Sequence, residues 1–355
     1  MSVYIIAEAG VNHNGSLDMA LHLVDAAADA GADAVKFQTF TAERLVRRNA
    51  PKAKYQKQTT GTGESQYEML SRLELPRAAH ETLLERCSAR GIDFLSTPFD
   101  EESLDFLTDD LGLKTIKLGS GEVTNGPLLL RTARKGVDVI LSTGMSTLGE
   151  VETALACLAF GFIAPNDSPS LDAFLSAYIS PEGQDSLRKR VTLLHCTTEY
   201  PAPFGEVNLR SMRTLRDAFN LPVGYSDHTE GIAVSIAAAA LGASVIEKHF
   251  TLDRSLPGPD HKASLEPREL AELVLSVCQI EAALGDRVKA PSPSERENRK
   301  VVRKSIVAKQ KITTNAIITA ELMESKRPGD GRSPMEYWNL LGKPSPSDFE
   351  AGDVL

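Results

Sequence analysis

Gly224-Tyr-Ser-Asp-His-Thr229 and, one helical pattern later, Val245-Ile-Glu-Lys-His-Phe250 decide how the remaining chain reads. Each is a short β-type run whose last residues are polar, and each closes on a histidine, His228 and His249. Two such runs joined by a helical stretch (Ile232–Leu241) are neighbouring parallel strands, and their ends lie at the same edge of a sheet. That edge is where α/β barrels carry their chemistry. Two readings of the pair stay open here: ordinary hydrogen-bonded residues, or two neutral imidazoles holding a divalent metal with open positions.

Outward from that pair, six further β-type runs alternate with helical patterns. They are Tyr4–Ala7, Ala34–Phe37, Phe94–Ser96, Thr115–Leu118, Asp138–Ser142 and Thr192–His195. With Pro222–Ser226 and Val245–Lys248 the chain has eight strand candidates, each followed by an apolar stripe at helical spacing, the last being Pro267–Leu284. Ser16 and Asp100 stand where N-caps are expected. Strand then helix, repeated eight times, predicts a (β/α)8 TIM barrel. Two connections are long. Thr39–Gln66, with Gly61-Thr-Gly63, is too long for a passive link and is expected to fold over the barrel mouth. Gly161–Arg190 reads either as an ordered excursion or as a plain insertion. The Pro/Ser-rich Ala290–Asn298 stretch marks a boundary, giving a barrel over 1–287, a linker over 288–300 and a small β-rich domain over 301–355. So little core predicts a domain that docks on something else.

The composition narrows the function. The 355 residues are 42% hydrophobic, enough to bury a core of barrel size. Cys87, Cys157, Cys196 and Cys278 are scattered, without paired spacing, which predicts a reducing cytoplasm and no disulfide. The start runs directly into a strand without a leader, and no apolar run is long enough for a membrane span, so a soluble cytoplasmic protein is expected. A net charge of −9 argues against nucleic acid as a partner and means that an anionic ligand needs a local basic pocket.

Such a pocket is written into the strand ends. Polar or ionisable residues follow nearly every run: Glu8 and Asn12-His-Asn14; Lys36 and Gln38; Thr97 and Phe99; Lys117, Ser120 and Glu122; Ser142; Thr198 and Tyr200; Ser226; Glu247. A lysine inside an otherwise apolar strand, as in Val35-Lys-Phe37 and Ile116-Lys-Leu118, needs a compensating anion. That anion is either a structural acid or a ligand. Two lysines with hydroxyls at one mouth suggest a phosphate and a carboxylate, and Gly119-Ser-Gly121 could bring backbone N–H groups to the phosphate. Leu256-Pro-Gly-Pro-Asp260 is a rigid loop that either holds Asp260 over the site or uses it as a turn cap.

Read in order, Ile6-Ala-Glu-Ala-Gly-Val-Asn-His-Asn-Gly15, Val35-Lys-Phe-Gln-Thr39, Ser96-Thr-Pro-Phe99, Lys117-Leu-Gly-Ser-Gly-Glu122, Leu141-Ser-Thr-Gly-Met145, His195-Cys-Thr197, Ser226-Asp-His-Thr229, Glu247-Lys-His-Phe250, Pro257-Gly-Pro-Asp260 and Lys326-Arg-Pro-Gly-Asp-Gly331 resemble the motif series of the sialic acid synthase family. That family comprises the N-acetylneuraminate synthases with their legionaminate and pseudaminate relatives. The resemblance spans essentially the whole chain, and its last part is similar to the antifreeze-like (SAF, β-clip) domain.

The resemblance implies an enzyme that condenses phosphoenolpyruvate with the open-chain form of an N-acylated mannosamine-type sugar, releasing phosphate by C–O cleavage. It implies Mn²⁺ or Mg²⁺ held by His228 and His249. Lys117, Ser120, Thr97 and Ser142 would hold the phosphate, and Lys36 and Ser226 the carboxylate. Glu8, Gln38, Tyr200 and Asp260 would face the sugar, with Phe99 and Thr198 also in the substrate site. Arg327 would reach the N-acyl group in the barrel of a partner subunit, in a domain-swapped homodimer. Glu8, Glu122 or metal-bound water remain alternatives as the proton handler. Cys196-Thr-Thr-Glu-Tyr200 lacks the asparagine common in N-acetylneuraminate synthases and resembles the legionaminate branch. The expected substrate is therefore 2,4-diacetamido-2,4,6-trideoxymannose, giving N,N'-diacetyllegionaminate, with N-acetylmannosamine or another nonulosonate precursor as alternatives. Two rivals remain: Schiff-base aldolase chemistry at Lys36 or Lys117, and a glycan-binding module without turnover.

Overall fold

The computed structural model describes residues 2–61 and 63–355, so Thr62 of the Gly61-Thr-Gly63 turn lies outside the described residues. All eight expected strands are present: β1 (Tyr4–Gly10), β2 (Ala34–Thr39), β3 (Asp93–Pro98), β4 (Thr115–Leu118), β5 (Asp138–Ser142), β6 (Val191–Cys196), β7 (Val223–Asp227) and β8 (Val245–His249). They form one parallel sheet in the order β3-β2-β1-β8-β7-β6-β5-β4, and the two ends of that order pack side by side. The result is a nearly closed TIM-type barrel. Helices that follow the strands begin at side-chain caps. Ser16 accepts from the Met19 N–H and Asp100 from the Ser103 N–H, while Thr147 and Glu150 form a reciprocal capping box. After β3 the chain is α-helical over Glu101–Asp105 and then widens into a π turn over Phe106–Asp110.

Closure sorts side chains by a period of two. Outward residues such as Val35, Phe37, Ile116, Leu118 and Tyr225 join the helices in the main core. Inward, Ile6, Ala34, Leu95, Ile140, Leu194 and Val245 form an apolar floor. The next inward position, one step towards the C-terminal face, is Glu8, Lys36, Thr97, Ser142 or Glu247 on five of these strands and Cys196 on β6. Gly224 belongs to the floor for a steric reason: a Cβ there would stand 2.4 Å from the Val245 carbonyl oxygen and 2.7 Å from Leu194.

Both long connections are ordered in the described residues. Thr39–Gln66 contains short helices over Ala42–Leu45 and Lys54–Thr60, and Tyr55 of the second stacks on Tyr200 at 4.9 Å. The buried Lys52 ammonium holds the connection together, donating to Thr60 Oγ1, the Gly61 carbonyl and Glu64. Gly161–Arg190 is an excursion with helices over Leu171–Ile179 and Pro181–Arg190, which share Ser180 as stop and cap.

The chain divides into two compact units, Met1–Gly285 and Asp286–Leu355. Part of the stretch read as a linker is helical, over Pro293–Val302, because Ser292 and Glu295 form a capping box around a proline at the first helical turn. In the second unit β9 (Ser305–Ala308) pairs antiparallel with β10 (Met323–Lys326), with isolated bridges Ile312–Phe349 and Val307–Val354. Its core is Ile306, Ile318, Met323 and Leu340. No helix among the described residues is long and apolar enough to cross a membrane.

Candidate active site

One pocket at the C-terminal face of the barrel is lined by thirteen of the residues singled out in the sequence: Glu8, Lys36, Gln38, Thr97, Phe99, Lys117, Ser120, Ser142, Thr198, Tyr200, Ser226, His228 and His249. Their convergence follows from register. Glu8 lies opposite Lys36 on one side and His249 on the other, and Ser226 lies opposite Glu247. Three sequence candidates are placed otherwise. Glu122 sits on the short turn after β4, with its carboxylate bonded to the Asn125 amide at 2.7 Å, and does not line the pocket. Asp260 is buried in the loop after β8. Arg327 follows β10 in the second unit.

Glu247, which the sequence reading named only as a polar strand end, is the centre of the site. Its carboxylate stands 3.2 Å from the Lys117 ammonium and 3.7 Å from that of Lys36, and accepts from Ser226 Oγ at 2.9 Å. The signal was its alternation with Val245 and His249, which puts it on the inward face. Cys196, inward after Leu194, also lines the pocket and lies 3.0 Å from Ser120 Oγ. Tyr55 had no signal, because only folding brings the Lys54–Thr60 helix to Tyr200.

Lys36 lies 2.6 Å from Glu8 and 3.2 Å from Thr97 Oγ1. Burial pulls its ammonium towards neutrality, but the charges of Glu247 and Glu8 more than offset this and hold its pKa above the ordinary value. The two carboxylates then divide. Burial pushes both up, yet Lys117 and Lys36 hold Glu247 down at about 2, whereas for Glu8 burial outweighs Lys36 and the charge of Glu247 adds to the rise. Glu247 is therefore held as the anion, and Glu8 is the carboxyl pushed towards holding a proton. Lys36 and Lys117 give the pocket two cationic donors for an anionic ligand. Among the described residues the buried Ser142 Oγ and Thr198 Oγ1 make no hydrogen bond. Gly144 leaves room for this group, since a Cβ there would stand 2.4 Å from Thr198 Oγ1 and 2.8 Å from both Ser120 Oγ and Cys196 Sγ.

The two imidazoles stand 5.5 Å apart, and Tyr200 packs on His228 at 4.1 Å. Burial lowers the pKa of His228 to about 4 and that of His249 well below the ordinary value, so both rings are neutral. His228 Nδ1 is 2.7 Å from the Thr197 carbonyl, which can only accept, so the proton is on Nδ1 and Nε2 keeps its lone pair. His249 Nδ1 is buried and makes no hydrogen bond among the described residues.

Burial and then the charge of Glu8 push the Asp260 carboxyl up to about 7. Its loop is fixed through the Asn12-His-Asn14 motif. The Asn12 amide donates to the Phe250 carbonyl and to Ser264 Oγ, both at 2.9 Å, and Ser264 Oγ donates to the Asp260 carbonyl at 2.7 Å.

Comparison with known proteins places the chain among its relatives. Residues 23–289 match the NeuB family, and residues 303–355 match the SAF domain. The chain is 49% identical to an N,N'-diacetyllegionaminic acid synthase of Campylobacter jejuni, covering 99% of this chain and 98% of that one. A protein with the same description from Legionella pneumophila is 46% identical, covering 100% of this chain and 94% of that one. Among solved structures, the N-acetylneuraminic acid (sialic acid) synthetase of Leptospira borgpetersenii in complex with citrate is 34% identical, with a TM-score of 0.66, covering 84% of this chain and 90% of that one.

Proposed function

The chain belongs to the NeuB family, and from that premise we propose that it condenses phosphoenolpyruvate with 2,4-diacetamido-2,4,6-trideoxymannose to give N,N'-diacetyllegionaminate and phosphate. The observation that carries the reading is one buried pocket in which two lysines, five serine and threonine hydroxyls and two neutral imidazoles converge. Lys117, Ser120, Thr97 and Ser142 hold the phosphate, and Lys36 with Ser226 holds the carboxylate. Gln38, Tyr200 and Asp260 face the sugar. The higher identity to the two legionaminate relatives than to the N-acetylneuraminic acid synthetase favours the diacetamido sugar over N-acetylmannosamine.

The residues fit a divalent ion. Both imidazoles are neutral, His228 has a free Nε2 lone pair, and His249 Nδ1 is buried and unused among the described residues. His228 and His249 would hold the ion and leave its other positions open; no group of three or more His, Cys, Asp or Glu side chains that could hold a metal is found among the described residues. Bound there, Mn²⁺ or Mg²⁺ supplies Lewis-acid polarisation of the aldehyde oxygen.

The protein's own groups account for the rest. The pocket excludes water around the phosphate and aligns C3 of phosphoenolpyruvate with the aldehyde carbon. Bond formation there leaves cationic character at C2, beside the Glu247 carboxylate, and water adds at that carbon. C–O cleavage of the tetrahedral centre expels phosphate onto Lys117 and leaves the 2-keto acid. Glu8, pushed towards holding a proton inside the pocket, is better suited to proton transfer than Glu122, which lies outside it. The working unit is a homodimer in which Arg327 of one subunit meets the N-acyl group in the barrel of the other.

Turnover with phosphoenolpyruvate and each sugar, followed by mass spectrometry, tests the reading. The diacetamido sugar should exceed N-acetylmannosamine in kcat/KM by about tenfold or more. Equal or reversed preference would overturn the choice of sugar. Phosphoenolpyruvate labelled with ¹⁸O in the bridging position should yield labelled phosphate, and label kept in the keto acid would exclude C–O cleavage.

A further inference from the structure

Behind the two histidines, on the outward face of the same strands, lies an ion pair that the proposed chemistry does not use. Asp227 and Lys248 precede His228 and His249 and point away from the pocket, where the positions below them, Tyr225 and Ile246, pack into the apolar core. Their charged groups are 3.0 Å apart, with side chains 0% and 1% exposed. The Lys248 ammonium also donates to the Thr229 carbonyl at 2.5 Å. Asp227 Oδ1 accepts from both the N–H and the hydroxyl of Thr229 at 2.8 Å, and Oδ2 accepts from Ser235 Oγ at 2.6 Å.

These bonds close a ring around a single residue. Asp227 and Thr229 flank His228 in the chain, and both are tied to Lys248, the residue that carries His249. A buried pair is a poor device for stability, because desolvating two charges cancels much of their attraction, and apolar side chains of similar volume would serve as well. What the ring provides is a fixed relation between two strand ends. We propose that Asp227 and Lys248 are positioning residues for the two-histidine metal site, setting the distance and orientation of the imidazoles through Thr229. This rests on the reading of His228 and His249 as metal ligands.

Mn²⁺ alone is the probe, with binding to the full-length protein followed by the loss of the free-ion electron paramagnetic resonance signal. Asp227→Asn removes a charge and leaves Lys248 buried without its counter-ion, so it can fail to fold. The neutral double variant Asp227→Asn/Lys248→Met keeps an acceptor for the Thr229 N–H and buries no net charge. Ser235→Ala removes one bond to Asp227 and leaves the ion pair in place. The double variant is expected to melt within a few degrees of the parent and to bind Mn²⁺ about 10- to 100-fold more weakly, with Ser235→Ala intermediate. Its affinity for phosphoenolpyruvate in metal-free buffer, measured by calorimetry, should stay within about twofold, a split that general loosening of the barrel would not produce. Parent-like Mn²⁺ affinity in a folded double variant would overturn the proposal, as would an equal loss of phosphoenolpyruvate binding. His249→Ala separates the premise from the inference. It should abolish Mn²⁺ binding, and if it does not, the metal site itself is misassigned and the positioning role falls with it.

Discussion

Glu247 bonds to both lysines and to Ser226, so Glu247→Gln removes a charge from the middle of a buried group rather than from its edge. Two ammoniums are then left with Glu8 alone, and breaking a buried pair typically costs about 3–5 kcal/mol. The variant should melt roughly 5–10 °C lower. Because an added anion restores the balance, inorganic phosphate should raise its melting temperature by more than that of the parent, and equal shifts would contradict this. Asp260 gives the pH prediction. In the unfolded chain its carboxyl titrates near 4, whereas in the fold it is held at about 7, so between these values the folded state keeps a proton that the unfolded state has lost. Its contribution is complete below ~4 and is lost as pH rises through ~7. Asp260→Asn removes that loss. The variant's melting temperature relative to the parent's should therefore rise by roughly 3–5 °C between pH 5 and pH 8, and a pH-independent difference would show that Asp260 is ionised throughout.

In the connection between β2 and β3 one buried lysine ties several segments together. Lys52 is almost fully buried and ties Thr60, Gly61 and Glu64 together, while Glu64 also pairs with Arg72. In Lys52→Met the Arg72 contact remains and the Thr60 and Gly61 contacts go. Amide exchange in the Lys54–Thr60 helix should accelerate by about tenfold or more while β1 and β8 stay protected, and unchanged exchange would mean that the connection is held by other contacts. The element ends that present the site were legible in the chain, since inward polar residues alternate with outward apolar ones along each run. Tyr55 was not, because its position on Tyr200 depends on how a 28-residue connection folds back across the barrel mouth.

Taken as a whole molecule, the protein has one unit that carries the pocket and another that carries Arg327. If the homodimer is domain-swapped, Arg327→Ala and Lys117→Ala are each nearly inactive alone but complement one another when refolded together. Half of the dimers are then mixed, and each mixed dimer has one of its two sites intact, so about a quarter of parental activity should return. Mixed dimers without activity would place Arg327 with its own barrel instead. The small core of the second unit, Ile306, Ile318, Met323 and Leu340, fits a domain that gains stability by docking.

The barrel, its eight strands and thirteen of the pocket residues could be read from the chain alone, because both the strand period and the alternation with helices are local properties. The charge arrangement could not. Glu247 rather than Glu122 faces the lysines because closure turns every second residue of β8 inward and leaves Glu122 on a turn bonded to Asn125. Glu8, Asp260 and the two imidazoles depart from their ordinary pKa values because of burial, which depends on what the rest of the chain packs around them. Asp227 and Lys248, 21 residues apart, meet only when β7 and β8 pair in register. Sequence pattern determines which face of an element a residue occupies; distances across the closed barrel, and the loss of water that accompanies them, arise only when distant segments come together.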